Sequence, residues 1–160
     1  MISRGELPPR GASRGRPPDV PKPTRVTTAL TEPFWEHAEN GELLFQHCLA
    51  CGLDQLYPRG VCRRCWSDDL GWVAAAGTGT VWTVTVIHKP SHPAWADEAP
   101  YAVAIVELDE GPRLTTRVLG CAPEDVIVGA RVRLCPTDAP APSFRLDPDA
   151  APGPMPGPGR

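Results

Sequence analysis

Four cysteines in the first half of the chain have the spacing of a metal site. Cys48 and Cys51 form one Cys-x-x-Cys pair, and Cys62 and Cys65 form a second pair after ten intervening residues. Each pair can fold into a tight turn that directs two thiolates at one point, and four thiolates complete the tetrahedral coordination of structural zinc. The same ligands also accept iron, as in a rubredoxin-like site. Because the protein fills all four positions, no position is open for a catalytic water, and the metal is expected to fold the module.

The six cysteines of the chain would also permit disulfides instead of a metal site. The first residues lack the apolar segment of a secretory signal peptide, and no stretch approaches the ~18 consecutive apolar residues of a membrane span. We therefore expect a cytoplasmic protein, whose reducing surroundings favour metal ligation over disulfides. Cys121 and Cys135 lack the paired spacing, and a role as small buried residues is favoured over a nucleophilic role, which would require a nearby base.

No further group of residues predicts an active site, so no catalytic residue is assigned. His88 follows a predicted strand within a Pro-rich loop, where functional residues are common. However, no histidine pairs with a serine or cysteine in a recognisable motif. The Gly77-x-Gly79 sequence lacks the third glycine and the helix of a dinucleotide-binding fingerprint.

The distribution of prolines divides the chain into a foldable core and two tails. Of the 21 prolines, six lie in residues 1–30 and eight in residues 136–160, and neither stretch has the apolar period of a strand or helix. We expect residues 1–30 to form a disordered basic leader and residues 136–160 a disordered Pro/Gly-rich tail. The leader has six basic and two acidic residues. This balance allows nucleic-acid contact or targeting, although a solvated flexible segment is favoured.

The first part of the core, residues 31–76, predicts a helix plus the zinc ribbon. Thr31 can cap a helix that runs from about Glu32 to Asn40, and Gly41 provides a left-handed stop. The apolar residues 43–45 predict a strand that leads into the first cysteine pair.

The second part of the core, residues 77–135, predicts a small OB-fold barrel. Runs of β-branched residues with turn signals between them predict strands over residues 80–87, 102–108, 113–119 and 130–134. Four strands without a long helix favour a closed barrel, because closure removes exposed edges in a domain too small for a sandwich. The predicted fold class is therefore mainly β, with an N-terminal helix, a rubredoxin-like zinc ribbon and an OB-fold barrel.

The order of these parts resembles the zinc-ribbon/OB-fold family called domain of unknown function thirty-five. The resemblance covers about Glu32 to Leu134, and the cysteine quartet is its most specific feature. Other segments that carry it are Phe34-Trp35, Tyr57-Pro58-Arg59, Gly77-Thr78-Gly79-Thr80-Val81, residues 85–90, Pro100-Tyr101, residues 106–113 and Gly120-Cys121. Members of that family are typically partners of thiolase-superfamily enzymes, including lipid-transfer-protein-type aldolases, and some pair with MaoC-like hydratases.

The resemblance implies that this chain is a non-catalytic accessory subunit. It would bind and stabilise a thiolase-like enzyme that acts on acyl-CoA thioesters, with the chemistry belonging to the partner. The residues expected to contact partner or substrate are Phe34, Trp35, Trp82, His88 and Tyr101. For the helix that carries Phe34 and Trp35, the alternative that these rings only cover the end of the domain stays open.

Two other functions also stay open on the sequence. An independent acyl-CoA-binding module would hold nucleotide phosphates with basic side chains of the barrel and ribbon. A single-stranded nucleic-acid-binding OB protein would need positive charge along a groove with interleaved aromatic residues. Residues 31–135 hold eight basic and fourteen acidic residues, so nucleic-acid binding is disfavoured.

Overall fold

The computed structural model describes residues 20–136 and 141–149 of the 160-residue chain. The predictions of disorder for residues 1–19, 137–140 and 150–160 lie outside these ranges. Within the described residues, the chain forms one α-helix, then three short strands, then five strands that close on themselves. No helix of these described ranges is long and apolar enough to cross a membrane.

Helix α1, Glu32–Glu39, lies where the sequence predicts a helix. Its N-terminal cap differs from the prediction, because the Thr31 hydroxyl makes no bond to the helix. That hydroxyl instead accepts a hydrogen bond from the backbone N–H of Thr28 at 3.0 Å. Gly41 follows the helix with a left-handed φ of 78°, which glycine adopts without a Cβ clash. The helix buries Phe34 and leaves its glutamates exposed to solvent.

Three short strands after the helix form the sheet of the metal ribbon. They are β1 Leu44–Cys48, β2 Asp54–Gln55 and β3 Leu70–Ala74. Their order is β2-β1-β3, and both pairs are antiparallel. Cys48 ends β1 and pairs with Leu70, and the N–H of Leu49 donates to the carbonyl of Asp69 at 3.0 Å. The sheet therefore holds the first cysteine beside the chain that leaves the second cysteine pair.

Five strands form a closed barrel after the ribbon. They are β4 Thr78–Ile87, β5 Tyr101–Leu108, β6 Arg113–Leu119, β7 Arg131–Cys135 and β8 Ser143–Leu146. The order around the barrel is β4-β5-β6-β8-β7, and β7 pairs with β4 to close it. All pairs are antiparallel except β6 with β8, which is parallel. This is a five-stranded barrel of the OB type, so the predicted fold class is confirmed.

Strand β8 corrects the expectation that the chain is disordered from residue 136 onward. Phe144 of this strand is fully buried, with 0% of its surface exposed. It pairs with Val118 of β6 on one side and with Leu134 of β7 on the other. Without β8 the barrel would stay open between β6 and β7, so part of the Pro-rich stretch completes the fold.

The end of the predicted leader, residues 20–30, lies against the folded core. Lys22 lies over the ring of Trp95, 4.6 Å from its centre, and Arg25 lies 5.1 Å from the ring centre of Trp35. Each of the two cations is also ion-paired with a glutamate. These cation–aromatic contacts give the segment a defined path, which differs from the expectation of disorder through residue 30.

The ribbon and the barrel are joined by a shared core and by polar contacts. Phe34 and Leu43 belong to the same buried cluster as the inward residues of the barrel. The Tyr57 hydroxyl of the ribbon accepts a hydrogen bond from the N–H of Thr115 at 2.8 Å. Thr115 lies in the part of β6 that β8 does not pair, so Tyr57 binds a backbone group at an open strand edge.

We expect Gly79→Ala to destabilise the protein, because β4 and β5 approach closely at this glycine. A Cβ at this position would lie 2.4 Å from the carbonyl oxygen of Glu107 and 2.8 Å from Cγ1 of Val106. Moving the backbone to relieve such an overlap typically costs about 1–3 kcal/mol of the free energy of unfolding. Gly60→Ala is the control, since nothing lies within 4 Å of its Cβ position. Equal urea midpoints for the two variants would contradict the expectation.

Candidate metal centre

The four predicted ligand cysteines converge in the ribbon. Their sulfur atoms all lie within 4.8 Å of one another, with 3.5 Å between Cys48 and Cys65 and 3.6 Å between Cys51 and Cys62. A tetrahedral ion with metal–sulfur bonds of about 2.3 Å requires sulfur atoms about 3.8 Å apart, so the cluster has suitable dimensions. None of the four is in a disulfide. Cys48 and Cys62 are buried, whereas Cys65 is exposed.

The two Cys-x-x-Cys turns have the same backbone hydrogen bonds. The N–H of Gly52 donates to the carbonyl of Cys48 at 2.7 Å, and that of Trp66 donates to the carbonyl of Cys62 at 3.0 Å. The N–H of each first cysteine donates to the carbonyl five residues later, at 2.9 and 2.8 Å. The residue after each pair is left-handed, with φ of 68° at Gly52 and 65° at Trp66. The turns are therefore equivalent knuckles that face one cluster of sulfur atoms.

The thiols of the cluster are too close together to ionise independently. Desolvation raises the pKa of Cys51, but hydrogen bonds, first among them that from Arg64, lower this pKa to about 6. A backbone hydrogen bond with Ser67 lowers the pKa of Cys65, but the neighbouring thiols and desolvation outweigh it and raise the pKa to about 12. Without a metal ion, the Cys65 thiol therefore keeps its proton at neutral pH. A bound dication would displace it, since metal ligation requires thiolates.

Two buried glutamines position the loop that carries Cys62. Gln46 of β1 and Gln55 of β2 are cross-strand neighbours, and the Gln55 side chain donates to that of Gln46 at 3.1 Å. Gln46 accepts a hydrogen bond from the N–H of Arg59 at 2.8 Å, and Gln55 accepts one from the N–H of Arg63 at 3.0 Å. Sequence analysis missed this pair. The sequence did contain a signal, because Gln46 directly follows three apolar residues. A polar side chain in a buried strand must find hydrogen-bond partners.

Phe34 and Trp35, both predicted as contact residues, differ in their exposure. Phe34 is 1% exposed, and its ring lies edge-on to those of Trp35 and Tyr57, with ring centres 4.9 and 6.5 Å away. This burial corrects the expectation that Phe34 contacts a partner, because its ring has no free surface. Trp35 is partly exposed and lies beside Arg25 of the leader.

Trp82 and Tyr101 lie under arginines on the outside of the barrel. Arg113 stacks 3.3 Å from the ring centre of Trp82, and Arg117 lies 4.3 Å from that of Tyr101. Each arginine is also ion-paired with a glutamate, at 2.6 and 2.5 Å. His88 is exposed in the loop after β4. A contact role for Trp35, Trp82, His88 and Tyr101 stays a prediction.

A four-cysteine ribbon packed on a five-stranded OB-type barrel defines a zinc-ribbon/OB-fold protein. Residues 35–71 match the family described as "ChsH2, rubredoxin-like zinc ribbon domain", and residues 72–136 match "ChsH2, C-terminal OB-fold domain". The chain belongs to this family, which is also called DUF35. It is the domain of unknown function thirty-five that the sequence resembles. The boundary between the two matches falls inside β3, a few residues before the predicted division between residues 76 and 77.

Two relatives are similar over most of the described core. A "Probable enoyl-CoA hydratase alpha subunit" from Thermomonospora curvata is 43% identical over 117 residues, which cover 71% of this chain and 36% of the relative. The chain therefore spans little more than a third of that protein. A "DUF35 domain-containing scaffold protein" from Methanocaldococcus jannaschii is 34% identical over 100 residues, which cover 61% of this chain and 70% of the relative.

One solved structure is similar in both sequence and fold. It is described as "Ltp2-ChsH2(DUF35) aldolase", and the chain that matches is 38% identical to this one, with a TM-score of 0.66. The match covers 76% of this chain and 98% of that chain. The matched part of this chain therefore corresponds to nearly the whole of one chain in that aldolase structure.

Proposed function

We propose that this chain is a zinc-binding accessory subunit that binds and stabilises a thiolase-like enzyme acting on acyl-CoA thioesters. The partner class comprises thiolases, lipid-transfer-protein-type aldolases and acyltransferases, and a MaoC-like hydratase is a further candidate. The observation that carries the proposal is the match over 98% of a chain from the Ltp2-ChsH2(DUF35) aldolase. The Thermomonospora curvata relative, named as a hydratase alpha subunit, supports the hydratase candidate.

In this proposal the metal is structural and the acyl-CoA chemistry belongs to the partner. Cys48, Cys51, Cys62 and Cys65 would supply four thiolates to one zinc, a closed set without an open position for water. The ion would fix the two knuckles against the sheet.

Nucleic-acid binding receives no support from the barrel face that OB folds use for it. In such folds the second and third strands present this face, and they correspond to β5 and β6 of this barrel. The arginines of β6 on this face, Arg113 and Arg117, are already ion-paired with glutamates. Pairing cancels much of the positive potential that a phosphate backbone would require.

Co-purification with a thiolase-like protein encoded beside this chain tests the proposal. We expect a single complex in size-exclusion chromatography at micromolar concentration. Binding should also stabilise the partner against unfolding, by about 2.7 kcal/mol when this chain is present at 100 times Kd. Partner turnover of an acyl-CoA substrate should fall when this chain is omitted.

Separate elution together with unchanged partner activity would contradict this function. Calorimetry of the chain alone with acyl-CoA esters distinguishes the main alternative function from the proposed one. Heat of binding in the absence of any partner would favour an independent acyl-CoA-binding module, whereas binding that requires the partner would favour the accessory subunit.

A further inference from the structure

Trp66 combines an exposed side chain with an unfavourable backbone conformation. It follows the second cysteine pair, its side chain is 77% exposed, and its φ is 65°. A bulky residue in the left-handed region is strained by its Cβ, and an exposed indole leaves a large apolar surface in water. The equivalent residue of the first knuckle is Gly52, which adopts the same conformation without strain. The knuckle therefore does not need a tryptophan in order to fold around the metal.

The residues that precede Trp66 are rich in arginine. The ribbon-tip segment, residues 59–66, contains the exposed residues Arg59, Arg63 and Arg64 and no carboxylate. Arg64 interacts with Cys51 of the sulfur cluster, and the exposed Asp68 and Asp69 follow the segment. Within the described parts of the chain, the side chains of Arg59 and Arg63 form no ion pair. In contrast, four arginines of the barrel strands are each ion-paired with an aspartate or glutamate: Arg113, Arg117, Arg131 and Arg133.

This combination of residues is typical of a protein-binding surface. Tryptophan and arginine are enriched among the residues that contribute most to binding at protein interfaces. Val61, 38% exposed, adds apolar surface to the same segment. Because the side chains of Arg59 and Arg63 have no ion-pair partner among the described residues, a complementary surface would offer them carboxylates around an apolar recess.

We propose that the ribbon-tip segment docks on the thiolase-like partner, in an apolar pocket rimmed by carboxylates. The indole of Trp66 fills the pocket, and Arg59 and Arg63 pair with the rim. The identity of the partner rests on the proposed function, whereas the surface is inferred from this chain alone. Folding does not require the strained and exposed side chain of Trp66. A contribution of this side chain to binding explains why a tryptophan occupies the position.

The variant Trp66→Gly separates binding from folding, because the two should change in opposite directions. Glycine relieves the strain, so the zinc-loaded chain should keep its metal and melt no lower than wild type, with a midpoint up to about 4 °C higher. Affinity for the purified thiolase-like partner should fall about 10- to 100-fold, as expected for the loss of a central aromatic contact. Ile127→Ala is the control, since Ile127 is 58% exposed on the barrel side of the molecule, and its affinity should stay within about twofold of wild type.

The variant Arg59→Glu/Arg63→Glu tests the charged rim. Both side chains are exposed, and the hydrogen bonds to the buried glutamines involve only the backbone N–H and carbonyl groups of these residues, so the fold should be retained. Association with the partner should slow about tenfold or more and lose much of its dependence on salt concentration. Arg145→Glu is the matched control, because Arg145 is an exposed arginine of β8 that forms no ion pair with the described residues.

The outcomes of these measurements distinguish the docking surface from the proposed function. Wild type that binds the partner, with weaker binding only in the ribbon-tip variants, supports both. Wild type that binds while the ribbon-tip variants bind equally well overturns the docking surface and leaves the function standing. Wild type that does not bind overturns the function and the surface together. Affinity for a single-stranded oligonucleotide that falls in these variants, with partner affinity unchanged, would also overturn the surface.

Discussion

The variant Cys51→Ser should lose the metal and largely unfold the ribbon. A serine hydroxyl stays protonated at neutral pH and cannot replace a thiolate among four closely spaced ligands. Zinc binding by such ligand sets contributes on the order of 10 kcal/mol to folding. The ribbon has only three short strands around its sulfur cluster, and these cannot replace a contribution of that size. We therefore expect the zinc content to fall from one ion per chain to near zero.

Elemental analysis and amide hydrogen exchange measure the two parts of this result. Protection should be lost in β1 to β3 of Cys51→Ser. Cys121→Ser is the control, because Cys121 is a partly buried residue outside the cluster and its replacement should leave the zinc in place. Folded wild-type protein that contains neither zinc nor iron would contradict the metal site. Iron in place of zinc would keep the ligand set and change the identity of the metal.

The elements that sequence analysis predicted are those determined by local spacing. Each Cys-x-x-Cys pair forms its own turn, so the convergence of two pairs follows from the motif and one connecting loop. Helix α1 and strands β4 to β7 are similar cases, because stop residues, β-branched runs and turn residues all lie within the elements or next to them. At the hairpin between β5 and β6, for example, Asp109-Glu110-Gly111-Pro112 contains both a left-handed glycine and a proline.

Strand β8 was missed because its four residues carry little local information. In a stretch with eight prolines between residues 136 and 160, a single Phe-x-Leu alternation is weaker than the composition around it. Its stability comes from pairing with β6 and β7 and from the buried ring of Phe144. The parallel pairing with β6 joins residues about 26 positions apart, which no turn signal in the sequence specifies.

The exposed aromatic residues could not be assigned from the sequence because exposure depends on the fold. Phe34 and Trp35 are neighbours on one helix, and only the packing of ribbon and barrel decides that Phe34 enters the shared core. The sequence gives no signal that Trp66 ends a metal-binding turn, because tryptophan disfavours the left-handed conformation that it adopts. Trp66 adopts this conformation because it occupies the same place in the second knuckle that Gly52 occupies in the first. The equivalent backbone hydrogen bonds of the two knuckles establish this correspondence.

The variant Phe144→Ala should destabilise the barrel by about 3–5 kcal/mol, which is a large share of the stability of a domain of this size. Its ring is 0% exposed in the core cluster between β6 and β7, so truncation would leave a cavity among side chains that cannot fully collapse. Urea unfolding of the zinc-loaded protein, followed by far-UV circular dichroism, gives the free energy of unfolding. If Phe144→Ala is too unstable to purify, Phe144→Leu should show a smaller loss of about 1–2 kcal/mol.

Arg145→Ala separates the loss of the buried ring from a general sensitivity of strand β8. Arg145 is the next residue of the strand and is exposed, so its truncation should change the free energy of unfolding by less than about 0.5 kcal/mol. A chain cut after Cys135 would lack the strand entirely and should not form a closed barrel, since β6 and β7 would then present unpaired edges. Equal stability of Phe144→Ala and Arg145→Ala would show that β8 does not belong to the core, and closure of the barrel would then need another explanation.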